Sequence, residues 1–153
     1  MKTVLAAALL AGLAALVPAA RAEDLPVPGA AAAGAAAVAA QLRASGLRAG
    51  KGGIVETAVI AGTMAAKRTH QLIPLCHPLA VTGVDIDFIV GGDEDPGAVD
   101  IVATVRTTDR TGVEMEALTA VTVAALTVAD MVKGVDRGFA IEHAVITHKA
   151  GGR

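Results

Sequence analysis

Two stretches of the chain alternate apolar and polar residues with a period of two, the pattern of a strand with one buried face. In AVTGVDIDFIV, Val84, Ile86 and Phe88 fall on one side and Asp85 and Asp87 on the other. In AVDIVATVRTT, Val99, Ile101, Ala103 and Val105 make the apolar side. GGDEDPG between them is a turn of several residues, so the pair predicts an antiparallel hairpin with one wet face. Upstream, GIVETAVIAGTMAAKRTHQ reads as a strand followed by a helix of roughly ten residues. Lys67 and Arg68 stand at the end of that helix, where its dipole favours cations. Downstream, a long helix is predicted from about Val113 to Val135, with Gly134 and Gly138 near its end. RGFAIEHAVITHKAGG supplies a last strand and a polar tail. Helices on one face of an antiparallel sheet make an α+β fold.

The front of the chain has another texture. MKTVLAAALLAGLAALVPAARAED has a basic start at Lys2, an apolar run from Val4 to Val17 and Ala-x-Ala at 20–22. That is the layout of a secretory signal peptide cleaved after Ala22, so residues 1–22 are signal-peptide-like. An Ala-rich helix or a misplaced start of translation is the other reading. The run is too short and too rich in Ala and Gly for a membrane span, and the mature form is expected to hold none. Residues 23–50 read as a low-complexity linker leading into a short helix that ends near Ser45-Gly46. The domain proper is expected over 51–153.

Composition narrows the partners. Hydrophobic residues are 54% of the 153, yet Trp and Tyr are absent and Phe88 and Phe139 are the only aromatics. Base stacking on nucleic acid therefore has almost nothing to use, and a net charge of −2 excludes a general polyanion binder. One Cys excludes an intrachain disulfide. Cys76 and His77 are adjacent, which is not a chelating spacing, so no metal is expected. No phosphate-loop or dinucleotide glycine pattern and no serine nucleophile elbow is present, and no cofactor is expected.

Three places carry candidate chemistry. LIPLCHPL, residues 72–79, sets the only Cys before a His and braces both between Pro74 and Pro78. It is either a core cysteine beside a core histidine or a stiff loop presenting His77 to a ligand. Asp130 and Lys133, spaced i and i+3, are either a surface ion pair or an acid/base pair with mutually tuned pKa values. Glu114 and Glu116 open the same helix, where carboxylates also suit the dipole. Glu116 and Asp130 lie about 21 Å apart along an unbroken helix, so one site using both ends needs two protomers. Any anionic ligand would require several of the scattered bases to converge, Lys51, Lys133 and Lys149 among them, with help from Gly-rich KGG and KAGG.

Taken together, IAGTMAAKRTHQLIPLCHPL, TGVEMEALTAVTVAALTVADMVKGVD and HKAGG closely resemble the cyclic pyranopterin monophosphate synthase family, the C protein of molybdenum cofactor biosynthesis. The resemblance runs from Lys51 to Gly152. It implies a ferredoxin-like α+β fold assembled as a homohexamer, a trimer of dimers with active sites between subunits, working in the cytoplasm. It implies a lyase that takes a small cyclic nucleotide triphosphate, 3′,8-cyclo-7,8-dihydroguanosine 5′-triphosphate. The product is cyclic pyranopterin monophosphate, with release of pyrophosphate. By position, Asp130, Lys133 and Lys51 resemble the catalytic residues. Leu75, Cys76, His77, Glu114, Met115, Glu116 and Lys149 resemble the substrate-binding ones. Relatives usually continue KGD where this chain has Gly53, and they open with Lys and Arg residues that bind the triphosphate. Residues 1–50 show no such segment, and only Arg43 and Arg48 are bases near Lys51. Two hypotheses follow: an active cytoplasmic lyase with an unusual or wrongly assigned N-terminus, or an exported or degenerate relative kept as a binding or structural module.

Overall fold

The two alternating segments form β4 (Val81–Val90) and β5 (Val99–Thr107), paired antiparallel as expected. The computed structural model describes residues 2–11, 43–44, 46, 48–91, 98–134 and 140–151. Burial along β5 alternates strictly: Val99, Ile101, Ala103, Val105 and Thr107 are buried and the residues between are half-exposed. On β4, Val84, Ile86 and Phe88 face the same core. Most of the turn between the two strands lies outside the described residues.

The sheet has four strands in the order β4-β5-β1-β6, with β1 (Lys2–Ala11) and β6 (Ala140–Ala150) completing it. β1 is antiparallel to β5 on one side and to β6 on the other, and Val4 sits in the core at 1% exposure. The start of the apolar run that reads as leader-like therefore occupies an interior position of the sheet. The Ala-x-Ala at 20–22 and most of the expected linker lie outside the described residues. Where the chain is described again, Arg43 and Ala44 are helical, and Gly46 takes the left-handed conformation (φ 63°) that suits a helix end.

A strand is expected at GIVETAV, but only Gly52–Gly53 is extended (β3), in a minimal ribbon with β2 (Arg48–Ala49). Helix α1 (Ile54–Lys67) starts at once and runs 14 residues. Ile54, Ala58, Gly62, Ala65 and Ala66 line its buried face at helical spacing, and that packing overrides the strand preference of its β-branched start. A short α2 (Thr69–Leu72) follows, and the long helix is α3 (Glu114–Val132). Among the described helices α3 alone is long and apolar enough to cross a membrane. Its apolar face, from Ala117 through Val132, is the one packed under the sheet.

Both long helices lie on one face of the sheet and pack against each other, so the main elements run βαββαβ in the ferredoxin-like order. Where α1 meets α3, Gly62 faces Ala120 and Ala124. A β-carbon at Gly62 would stand 2.5 Å from Ile86 Cδ1 and 2.8 Å from the Ala120 carbonyl oxygen. Small residues let the helices approach closely, and that approach sets the N-terminal side of α1 beside the C-terminal end of α3.

Candidate active site

Each end of α3 holds a cluster of polar groups. At its C-terminal end, Asp130 lies on the exposed side of the last turn and Lys133 caps the helix. The β2–β3 turn brings Lys51 to the same point from 79 residues upstream, with Gly52 at φ 116° in a conformation other residues avoid. Lys51 Nζ donates to Asp130 Oδ2 at 2.8 Å and lies 3.5 Å from the Asp130 carbonyl, one of the acceptors a helix end leaves open. Lys133 Nζ donates to Asp130 Oδ1 at 2.5 Å. Both carboxylate oxygens are thus engaged by ammonium groups. Hydrogen bonds from Lys133 and then Lys51, with their charges, pull the Asp130 pKa down to about 2. Near neutral pH the cluster is an ionised carboxylate shared by two cations, exposed to solvent and electropositive in sum. It can hold phosphate oxygens and pass protons between a lysine and a ligand.

At the N-terminal end, the 72–79 loop meets the start of α3 around a pocket of about 300 Å³. Leu75, Cys76, His77, Glu114, Met115 and Glu116 all line it. Glu116 is only 3% exposed, and the Cys76 thiol donates to its Oε1 at 3.6 Å. Burial pushes the Cys76 pKa up, and the Glu116 charge and hydrogen bond push it further. The thiol is therefore held as a donor rather than as a thiolate nucleophile. The place of the single cysteine follows: it partners a buried carboxylate. His77 Nε2 lies 3.4 Å from Thr111 Oγ1. Leu75 is 98% exposed at the rim. Lys149, on the outer strand β6, reaches across to form an ion pair with Glu114. Among the described residues no group of three or more His, Cys, Asp or Glu is placed to hold a metal ion.

The structure thus sorts the ten candidate residues in two. Lys51, Asp130 and Lys133 share one end of α3. Cys76, His77, Glu114, Met115, Glu116 and Lys149 gather at the other, with Leu75 at the edge. The ends stay about 21 Å apart because α3 is unbroken between them. Sequence reasoning passed over Thr107, Asp109 and Thr111, which tie the segment before α3 to the Cys76 loop. The available signal was the hydroxyl- and carboxylate-rich TTDRTG, a composition typical of turns that bond neighbouring backbone.

The chain matches the MoaC family over residues 29–152. The chain belongs to the MoaC family. It is 62% identical over 103 residues to cyclic pyranopterin monophosphate synthase 2 of Mycobacterium bovis, covering 67% of this chain and 59% of that protein. It is 63% identical over 103 residues to the cyclic pyranopterin monophosphate synthase of Streptomyces coelicolor, 67% of this chain and 58% of the relative. The cyclic pyranopterin monophosphate synthase of Xanthomonas oryzae pv. oryzae is 57% identical over 118 residues, 77% of this chain and 70% of its own. The chain thus spans about six-tenths of the length of several curated MoaC-family relatives.

Proposed function

We propose that this MoaC-family chain is a cyclic pyranopterin monophosphate synthase. It converts 3′,8-cyclo-7,8-dihydroguanosine 5′-triphosphate to cyclic pyranopterin monophosphate with release of pyrophosphate, in molybdenum cofactor biosynthesis. The observation that carries the reading is Asp130 held between Lys51 and Lys133 at an exposed helix end. Rebuilding a purine-derived ring system as a pterin requires ring opening and closure, and so repeated proton transfer at nitrogen and oxygen. An aspartate with two lysines in hydrogen-bond reach supplies a donor and an acceptor side by side. Closing the cyclic phosphate drives out pyrophosphate, whose growing negative charge needs fixed cations. Lys51 and Lys133 supply them at one end of α3, and Lys149 adds one at the pocket. The pocket, with Glu116 and the Cys76 thiol inside, binds the base of the substrate.

One reacting centre requires its groups within hydrogen-bond reach, and a single chain keeps its two clusters about 21 Å apart. Each site therefore joins the Asp130 end of one protomer to the pocket of another, and the resemblance to the synthase family implies that the working form is a homohexamer, a trimer of dimers. It acts in the cytoplasm, where a nucleoside triphosphate precursor is at hand and where a lone unpaired thiol is usual.

The test is direct. Purified full chain is incubated with the cyclic dihydroguanosine triphosphate, and pterin product and pyrophosphate are measured together. Equimolar formation of both, abolished in Asp130→Asn with the oligomer intact, is the expected result. A folded oligomer that binds the nucleotide and yields neither product would make the chain a binding module instead.

A further inference from the structure

The loop that carries Cys76 and His77 has no regular secondary structure from Cys76 to Ala80, and yet it forms one wall of the pocket. Its two prolines limit φ but do not fix where the loop sits. That is done from β5, the neighbour of the strand the loop leads into. Thr107, the last residue of β5, is fully buried, and its hydroxyl donates to the Ala80 carbonyl at 2.8 Å. The Thr107 hydroxyl oxygen also accepts the backbone N–H of Asp109 at 3.1 Å. The Asp109 carboxylate in turn accepts the Ala80 N–H through Oδ2 at 3.1 Å. The three bonds close a ring through Ala80, Thr107 and Asp109 and hold both backbone groups of one loop residue. Four residues beyond Thr107, Thr111 meets His77 Nε2, so one short segment grips the loop twice.

We propose that Thr107 and Asp109 are positioning residues for the active-site loop. They fix Ala80, and through it they hold Cys76 against Glu116 and His77 at the mouth of the pocket. Neither touches the space the substrate would fill; both act through the loop. The proposal rests on the pocket being the substrate site, although its first readout does not. Val has nearly the shape of Thr and lacks the hydroxyl, so Thr107→Val opens the ring at two of its three bonds with little change in volume. Thr107→Ser keeps the hydroxyl.

Cys76 is the only cysteine in the chain, so its reaction with a disulfide reagent such as DTNB reports the loop position with no substrate present. A loop released from Ala80 frees the thiol from Glu116 and from burial, and the thiol then ionises and reacts more readily. Thr107→Val is expected to speed labelling of Cys76 by at least about tenfold, the worth of one of the two hydrogen bonds lost, and Thr107→Ser to restore the slow rate. Labelling through local loop opening is insensitive to low urea, whereas labelling through global unfolding rises with it. In turnover, Thr107→Val is expected to raise KM about tenfold with kcat changed by less than about twofold. Wild-type labelling rates in Thr107→Val, or faster labelling that climbs with urea in step with global unfolding, would overturn the clamp. If the wild-type chain gives no product while labelling behaves as expected, the clamp stands and the assigned reaction falls.

Discussion

Replacing Gly62 by Ala tests the packing that holds the Asp130 cluster together. The new β-carbon would lie 2.5 Å from Ile86 Cδ1, 2.8 Å from the Ala120 carbonyl oxygen and 3.3 Å from Ala124 Cβ. The isoleucine methyl is the end of a flexible chain and can swing away. The Ala120 oxygen is backbone inside α3 and cannot move alone, so α1 and α3 must part by about half an ångström to reach ordinary contact. Overpacking of this kind costs about 1–3 kcal/mol. Alanine recovers about 0.8–1 kcal/mol of that through its better helix propensity. The balance is a net loss of up to about 2 kcal/mol, read as a fall in Tm of about 2–4 °C per kcal/mol for a chain of this size. Urea and thermal unfolding measure it. Activity should fall as well, because Lys51 immediately precedes β3 and α1 while Asp130 rides on α3. A small displacement of the proposed catalytic groups is expected to cost about tenfold in kcat even well below the new Tm. A Gly62→Ala protein that unfolds at or above the wild-type temperature with full activity would refute the close α1–α3 contact and the coupling drawn from it.

Three further outcomes are expected. The Asp130 carboxyl, held at about 2 in place of its ordinary 3.8, should titrate there by NMR, and Lys133→Ala should raise it more than Lys51→Ala. Because the folded value is the lower one, the cluster contributes stability above about pH 4 and loses it as the pH falls toward 2, so an activity loss near pH 5 must come from another group. Mixing Glu116→Gln with Asp130→Asn subunits under conditions of proven exchange should restore activity neither variant has alone; no recovery would count against sites shared between chains. Deleting residues 2–11 removes the strand between β5 and β6, and circular dichroism with light scattering should show unfolding or aggregation. A deleted chain that stays folded means another segment can fill that slot.

Much of the fold was readable because its surfaces are one-sided. β4 and β5 each bury one face, so every second residue is apolar and the hairpin announces itself. α3 is read correctly to within a few residues at each end for the matching reason at helical period. β1 is different. It lies between two strands, and its run of Val, Ala and Leu does not alternate, so in sequence it looks the same as the apolar core of a leader peptide. The β2–β3 ribbon is two residues on each side, Arg-Ala against Gly-Gly, too short for any period to show. Ile54 and Val55 favour strands in isolation, and only the fit of α1 against α3 makes them helical.

The site divides along the same line between local and distant. Asp130 with Lys133 is readable from spacing alone, since i and i+3 share a face. Lys51 reaches the same carboxylate from 79 residues away, which no local pattern encodes. Thr107 and Asp109 are hidden more deeply, because what they bind is the backbone of Ala80, and an alanine side chain gives no sign that its main chain is held. α3 connects these parts. Its buried face makes the core, its first turn carries Glu114 and Glu116, and its last turn carries Asp130, so its length fixes the separation of the two clusters. Neither end can approach the other without breaking the helix that folds the domain. Within the proposed reaction, then, association of chains is not an addition to a finished active site. It is the step that brings the proton-transfer end of one α3 to the binding end of another.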